Sequence, residues 1–142
     1  MLFRSLAAGN YTLSGQGGAD VGAFEAGFTV PAPLTWTNKS PTALARSFSP
    51  TFRWEGGASS RYVIAAAFGR NDVSGFYTVC TAEPSDGALT IPSYVYAGIV
   101  QHTSSAPGIV WIAAGSISPF EAPGLDFGFI NTIVGTESVY IP

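Results

Sequence analysis

Charge is what this chain has least of. Only 11% of its 142 residues are Asp, Glu, Lys or Arg, against roughly 25% in an average soluble domain. There is one lysine, Lys39, and the five arginines (Arg4, Arg46, Arg53, Arg61 and Arg70) form no run. Solvated helical faces are built from Glu and Lys, so long amphipathic helices are excluded as the main architecture. The net charge is -3 and the pI is near 4.8. Nucleic-acid binding needs a basic patch to offset phosphate, and none is present.

Cysteine and histidine are each represented once, by Cys80 and His102. A lone cysteine cannot close an intrachain disulfide. With one Cys and one His, a zinc site is not expected. Cysteine or serine nucleophiles would both need His102 as base, and no Gly-x-Ser-x-Gly elbow is present. Cys80 lies in an apolar segment and reads as a buried thiol. Long apolar runs are missing too: the longest, Tyr62 to Phe68, falls far short of the roughly 18 residues of a membrane span. The first residues make a poor signal peptide, because Arg4 interrupts a short apolar stretch.

What is present is core material and strand chemistry. Hydrophobic residues make up 46% and aromatics 13%, enough for a sizeable core without disulfides or metals. Phe24, Ala26, Phe28 and Val30 alternate with Glu25, Gly27 and Thr29, the signature of a half-buried strand. Leu34 with Trp36, and Phe52 with Trp54, repeat the pattern. Tyr62 to Phe68 is apolar on both faces and predicts a central strand. Further strands are expected at Asn10 to Ser14, Phe76 to Ala82, Ala88 to Ile91, Ile109 to Ala114, Leu125 to Val134 and Ser138 to Ile141. Gly15 to Gly22, Glu55 to Ser60, Gly69 to Asp72, Pro84 to Gly87 and Gly135 to Glu137 read as turns. Asn38 to Pro50 and His102 to Gly108 read as loops. Pro92 to Gly98 predicts one helical turn. Strands at roughly 8–12-residue spacing point to an all-β antiparallel β-sandwich. No repeat or linker divides residues 1–142, which are expected to form a single domain.

Several stretches resemble a group of uncharacterised, predicted-secreted proteins from soil bacteria of the acidobacterial type. The residues that carry the resemblance are Gly9 to Gly15, Gly18 to Phe24, Pro33 to Asn38, Phe76 to Ala82, Leu89 to Val95 and Phe120 to Gly128. The resemblance implies an immunoglobulin-like sandwich at the C-terminal part of a longer exported chain. Met1 would then open in mid-domain, leaving a sheet edge unpaired near the N-terminus. The implied location is extracellular or the cell surface. The resemblance supplies no catalytic residues.

The candidate sites are few. Asp20, Asn71, Asp72 and Asp126 are the possible calcium ligands, since hard cations prefer oxygen. No single loop gathers several of them, and ordinary turn chemistry is the alternative reading. The glycine-rich loop from Gly15 to Gly22 puts Asp20 where a dinucleotide fingerprint needs glycine, so no nucleotide cofactor is expected. A glycosidase would need two of the nine carboxylates across a cleft, and most of the nine fall in or beside turns. Trp36, Trp54 and Trp111 invite a sugar-stacking role, but all three sit in apolar alternation and are expected in the core. Tyr94 and Tyr96, on the expected helical turn, are the candidate ligand-binding residues. Two main functional readings result, with a small hydrolase using paired carboxylates as a minor third. One is a non-catalytic extracellular module for adhesion, surface display or binding of a protein or carbohydrate partner. The other is a self-assembling subunit that pairs through exposed edge strands such as Ser138 to Ile141.

Overall fold

The computed structural model describes residues 6–39, 49–70, 75–95 and 108–141. The chain is an all-β, sandwich-like fold of antiparallel sheets. Nine strands run through the described residues: β1 (Gly9–Gly15), β2 (Phe24–Val30), β3 (Leu34–Trp36), β4 (Thr51–Gly56), β5 (Tyr62–Arg70), β6 (Gly75–Ala82), β7 (Ala88–Thr90), β8 (Gly108–Phe120) and β9 (Gly128–Ile141). They form a hairpin β1-β2, a three-stranded sheet β3-β4-β7 and a four-stranded sheet β6-β5-β8-β9.

The core lies where the three-stranded sheet covers the four-stranded one. Side chains alternate across a strand, so Leu34 and Trp36 point inward from β3 while Thr35 points out, and Phe52 and Trp54 flank the exposed Arg53 on β4. They meet Val63, Ala65 and Ala67 of β5 and Val110, Ile112 and Ala114 of β8. Trp36 and Phe52 bring their ring centroids to 5.3 Å. A buried indole needs a partner for its N–H, and both have one. Trp36 Nε1 donates to Asn38 Oδ1 (2.9 Å) and Trp54 Nε1 to the Pro84 carbonyl (3.0 Å). Asn38 Oδ1 also accepts from the Arg53 amide, and its Nδ2 donates to the Thr51 carbonyl, clamping β3 to β4.

β5 is central, as its two-faced apolarity predicts, lying between β6 and β8. Its even residues Ile64 and Ala66 are buried on the face away from the core cluster. Trp111, on β8, occupies that same outer side. It is only half-buried and stands outside the core cluster, unlike Trp36 and Trp54, because its odd position on β8 turns it away from Ile112. Cys80 is half-buried and packs against the core from its position opposite Ala65.

The largest departures from the expected boundaries are in β8 and β9, and β5 also runs on to Arg70, through the start of the turn expected at Gly69 to Asp72. β8 does not stop at Ala114 but runs on through Gly115 and Pro119 to Phe120. A Cβ at Gly115 would collide with the Tyr62 ring, which lies across this position, and the Tyr62 hydroxyl donates to Asn131 Oδ1 on β9. Pro119 lies past Gly115, where the β5 partnership ends, so its missing N–H takes nothing from that ladder. β9 begins at Gly128, not Leu125, and continues unbroken through Gly135 to Glu137. There the partner of β8 jumps from Glu137 to Val134, a β-bulge in place of the expected turn. Among the described residues, helical structure amounts to a 3₁₀ turn at Pro84–Asp86 and a turn at residues 93–95, within the stretch expected to be helical, of which residues 96–98 lie outside the described residues.

The packing predicts a steep contrast between faces. Phe52 is fully buried, so Phe52→Ala should lower unfolding free energy by about 3–5 kcal/mol in urea titration. Thr35→Ala on the exposed face of the neighbouring strand should stay within about 0.5 kcal/mol.

Candidate functional site

Past Gly115, β8 and β9 leave the four-stranded sheet and continue as a two-stranded arm. One face of this arm packs on the β1–β2 hairpin. Phe24 of β2 stacks on Phe120 of β8, centroids 4.9 Å apart. Thr132 Oγ1 donates to the Thr29 carbonyl (2.8 Å). At the tip, the loop after β8 meets the loop between β1 and β2, where the Gly22 amide donates to the Pro123 carbonyl (2.7 Å). Glycine is required on both sides of this contact. A Cβ on Gly22 would press on the Pro123 ring, and one on Gly124 (φ 87°) would run into the Asp20 carbonyl oxygen.

The other face of the arm is apolar and solvated. Ser116 and Thr132 point inward opposite one another, so Ile117 and Pro119 of β8 and Phe129, Asn131 and Ile133 of β9 point outward. Phe129 is 54% exposed, Ile133 45% and Ile117 41%. Phe127, just before β9, is 71% exposed and sets its ring 5.6 Å from that of Phe129. Given side chains of this size, these four residues expose on the order of 400 Å² of apolar surface. That falls in the range of the largest patch on a typical monomer, which is often functional.

At the tip, Phe120, Leu125 and Phe127 wall a hollow of about 300 Å³ whose remaining lining includes Glu121 and Asp126. Apolar walls and two carboxylates are thus presented together. A second hollow, about 410 Å³, lies on the β1–β2 hairpin beside Tyr11, Phe28 and Ser118. On its wall Thr29 Oγ1 donates to Asn10 Oδ1 (3.0 Å), and the Tyr11 hydroxyl donates to the Ala7 carbonyl (2.9 Å).

The residues singled out from sequence scatter. Asp20 and Asp126 both fall at the tip, in the two loops that meet there. Asn71, Asp72 and Tyr96 lie outside the described residues. Among the described residues, no three acidic, histidine or cysteine side chains converge as a metal site would require. Tyr94 is 80% exposed on the helical turn at 93–95. The outward row of Ile117, Phe129 and Ile133 was not singled out. Its one signal in sequence is that Phe127 to Val134 carries apolar residues at odd and even positions alike, more than one buried face can use.

No protein-family model, curated protein or solved structure matches this chain. Among the described residues, no helix is long and apolar enough to cross a membrane.

The contact between tip loops is testable on its own. Gly124→Ala places a side chain in the left-handed region and against Asp20, a strain of about 1–3 kcal/mol. Stability should fall by that amount, and the Gly22 amide should exchange faster with solvent. Unchanged protection of that amide would show that the two loops hold their positions independently.

Proposed function

We propose that the chain is a non-catalytic, extracellular or cell-surface β-sandwich module that holds a protein partner on the outer face of the β8–β9 arm. The observation that carries this reading is the row of Ile117, Phe127, Phe129 and Ile133, solvated together on the outer face of the arm with Asn131 among them. Scattered exposed apolar residues need no explanation, but a patch of this size is often functional. The low charge, the all-β architecture and the likeness to secreted acidobacterial-type proteins support an exported module. An immunoglobulin-like arrangement of the sandwich is part of the same proposal.

The reading requires that these side chains serve contact and not folding. Phe127→Ser combined with Phe129→Ser removes groups that are mostly in water already. The melting temperature should therefore shift by no more than about 2–3 °C, the scale of a surface substitution. Binding of the neutral, solvatochromic dye Nile red should fall severalfold in the same variant. A drop in melting temperature of about 10 °C would mean that the aromatics hold the fold together, and the contact role would go.

The second reading, self-assembly, rests on the edges. Among the described residues, β9 pairs only with β8, and β6 only with β5. Devices that blunt an edge are also present, namely Pro119 in β8 and the bulge in β9. Light scattering decides between the two. A monodisperse monomer from about 10 μM to about 1 mM is expected, well above the Kd range of stable assemblies. Concentration-dependent growth of larger species would favour assembly.

A further inference from the structure

We infer that the partner segment held by the arm is cationic as well as apolar: a short stretch of another protein in which Lys or Arg side chains accompany aliphatic or aromatic ones. The inference rests on the contact role proposed above and adds the chemistry of the occupant. Its basis is how charge is divided in the chain. The arm, residues 116–134, and the β1–β2 hairpin on which it packs, residues 6–30, form one lobe. They contain Asp20, Glu25, Glu121 and Asp126, four of the nine acidic residues, and none of the six Lys or Arg. The lobe therefore carries a charge of -4, of which Glu121 and Asp126 give the arm itself -2, where the whole chain carries -3. The rest of the chain is left at +1, five acids against six bases. The negative charge of the molecule is that of this lobe.

Charge and apolar surface coincide at the tip. Glu121 and Asp126 line the same hollow as Phe120, Leu125 and Phe127, and Phe127 continues through Phe129 onto the outer face. A side chain that enters this hollow comes beside apolar residues and two acidic ones together. Lysine and arginine suit both, with an aliphatic stem and a charged head. A guanidinium could also stack on the Phe127 ring.

Other occupants fit less well. A second copy docking arm to arm would bring the Glu121 and Asp126 carboxylates of both copies to one interface, and like charges across an interface cost several kcal/mol. The apolar area is on the order of 400 Å², about half the ~800 Å² per partner of a standard stable interface. That area suits a short segment better than a permanent dimer. An anionic bilayer surface would repel the same carboxylates.

Three amidated octapeptides serve as probes, alternating lysine with leucine, glutamate with leucine, and lysine with serine. Each is titrated calorimetrically into the full chain. The Lys–Leu peptide should bind at least tenfold more tightly than either of the others at about 50 mM salt, and that advantage should shrink severalfold at about 500 mM, where charge is screened. Glu121→Gln with Asp126→Asn should bring the Lys–Leu and Glu–Leu peptides to within about threefold of one another, while Phe127→Ser with Phe129→Ser should do the same for Lys–Leu and Lys–Ser.

Equal binding of Lys–Leu and Glu–Leu would reduce the arm to a merely apolar surface and overturn the inference. So would equal binding of Lys–Leu and Lys–Ser, which is ion exchange without a site. Preference for phosphatidylserine vesicles over every peptide would replace the protein partner by a membrane. A failed preference beside unchanged thermal stability in the Phe127→Ser, Phe129→Ser variant would sink the cationic partner alone. Unfolding of that variant would sink the contact role with it.

Discussion

Everything in this fold depends on β8 keeping one face inward over its whole length. Val110, Ile112, Ala114 and Ser116 are buried in succession, and the same parity carries Phe120 onto Phe24. The first part of that face packs under β3 and β4, and the last part under β1 and β2. A strand that bent or slipped by one residue would move every one of these side chains to the other side. One uninterrupted alternation thus joins a sandwich core to an arm that would otherwise be a separate two-stranded hairpin, marginal by itself in water. β5 is shorter, so beyond Gly115 the outer face of β8 has no central strand beside it, and what lies there is solvated.

β9 has to follow β8 along this course, and it does so only by changing parity. In the arm, its even residues Ile130, Thr132 and Val134 stand opposite Ser118, Ser116 and Ala114. After the bulge, Glu137 and Val139 stand opposite Ile112 and Val110. One extra residue makes the switch. The consequence is local: the odd residues Phe129, Asn131 and Ile133 point outward only in the arm. The apolar row of the candidate surface therefore results from a register shift several residues away.

Sequence made the core legible and left the arm obscure, for a physical reason. Leu34 and Trp36, Phe52 and Trp54, and the doubly apolar β5 obey period two cleanly, and the structure places them as that period requires. Gly115, Pro119 and Gly135 carry the usual signals of a strand end. Each has another cause here. Gly115 makes room for the Tyr62 ring, Pro119 sits where no neighbour requires its N–H, and Gly135 lies at a bulge. Those causes are tertiary, and a residue-by-residue reading cannot see them. Trp111 shows the complementary limit. Alternation reveals that a residue shares a face with its second neighbours, but not which face is covered. Asp20 and Asp126 are far apart in sequence, and their loops touch only because two glycines allow it.

The placement of charge in a chain so poor in it bears on both faces of the arm. An exposed apolar hairpin with open edges is a hazard, since it can pair or stack with its copies. Natural sequences guard such strands with flanking charges, and Glu121 and Asp126 flank the β8–β9 turn in that position. Guarding alone would be served by either sign, or by a mixture. A mixture would also spare the arm its self-repulsion. The arm carries one sign only. Uniform negative charge keeps copies apart, as any uniform charge would, but it also discriminates among other partners, favouring those that bring positive charge. The Glu121 and Asp126 carboxylates that hold two arms from one another therefore also select what can approach the aromatic residues beside them.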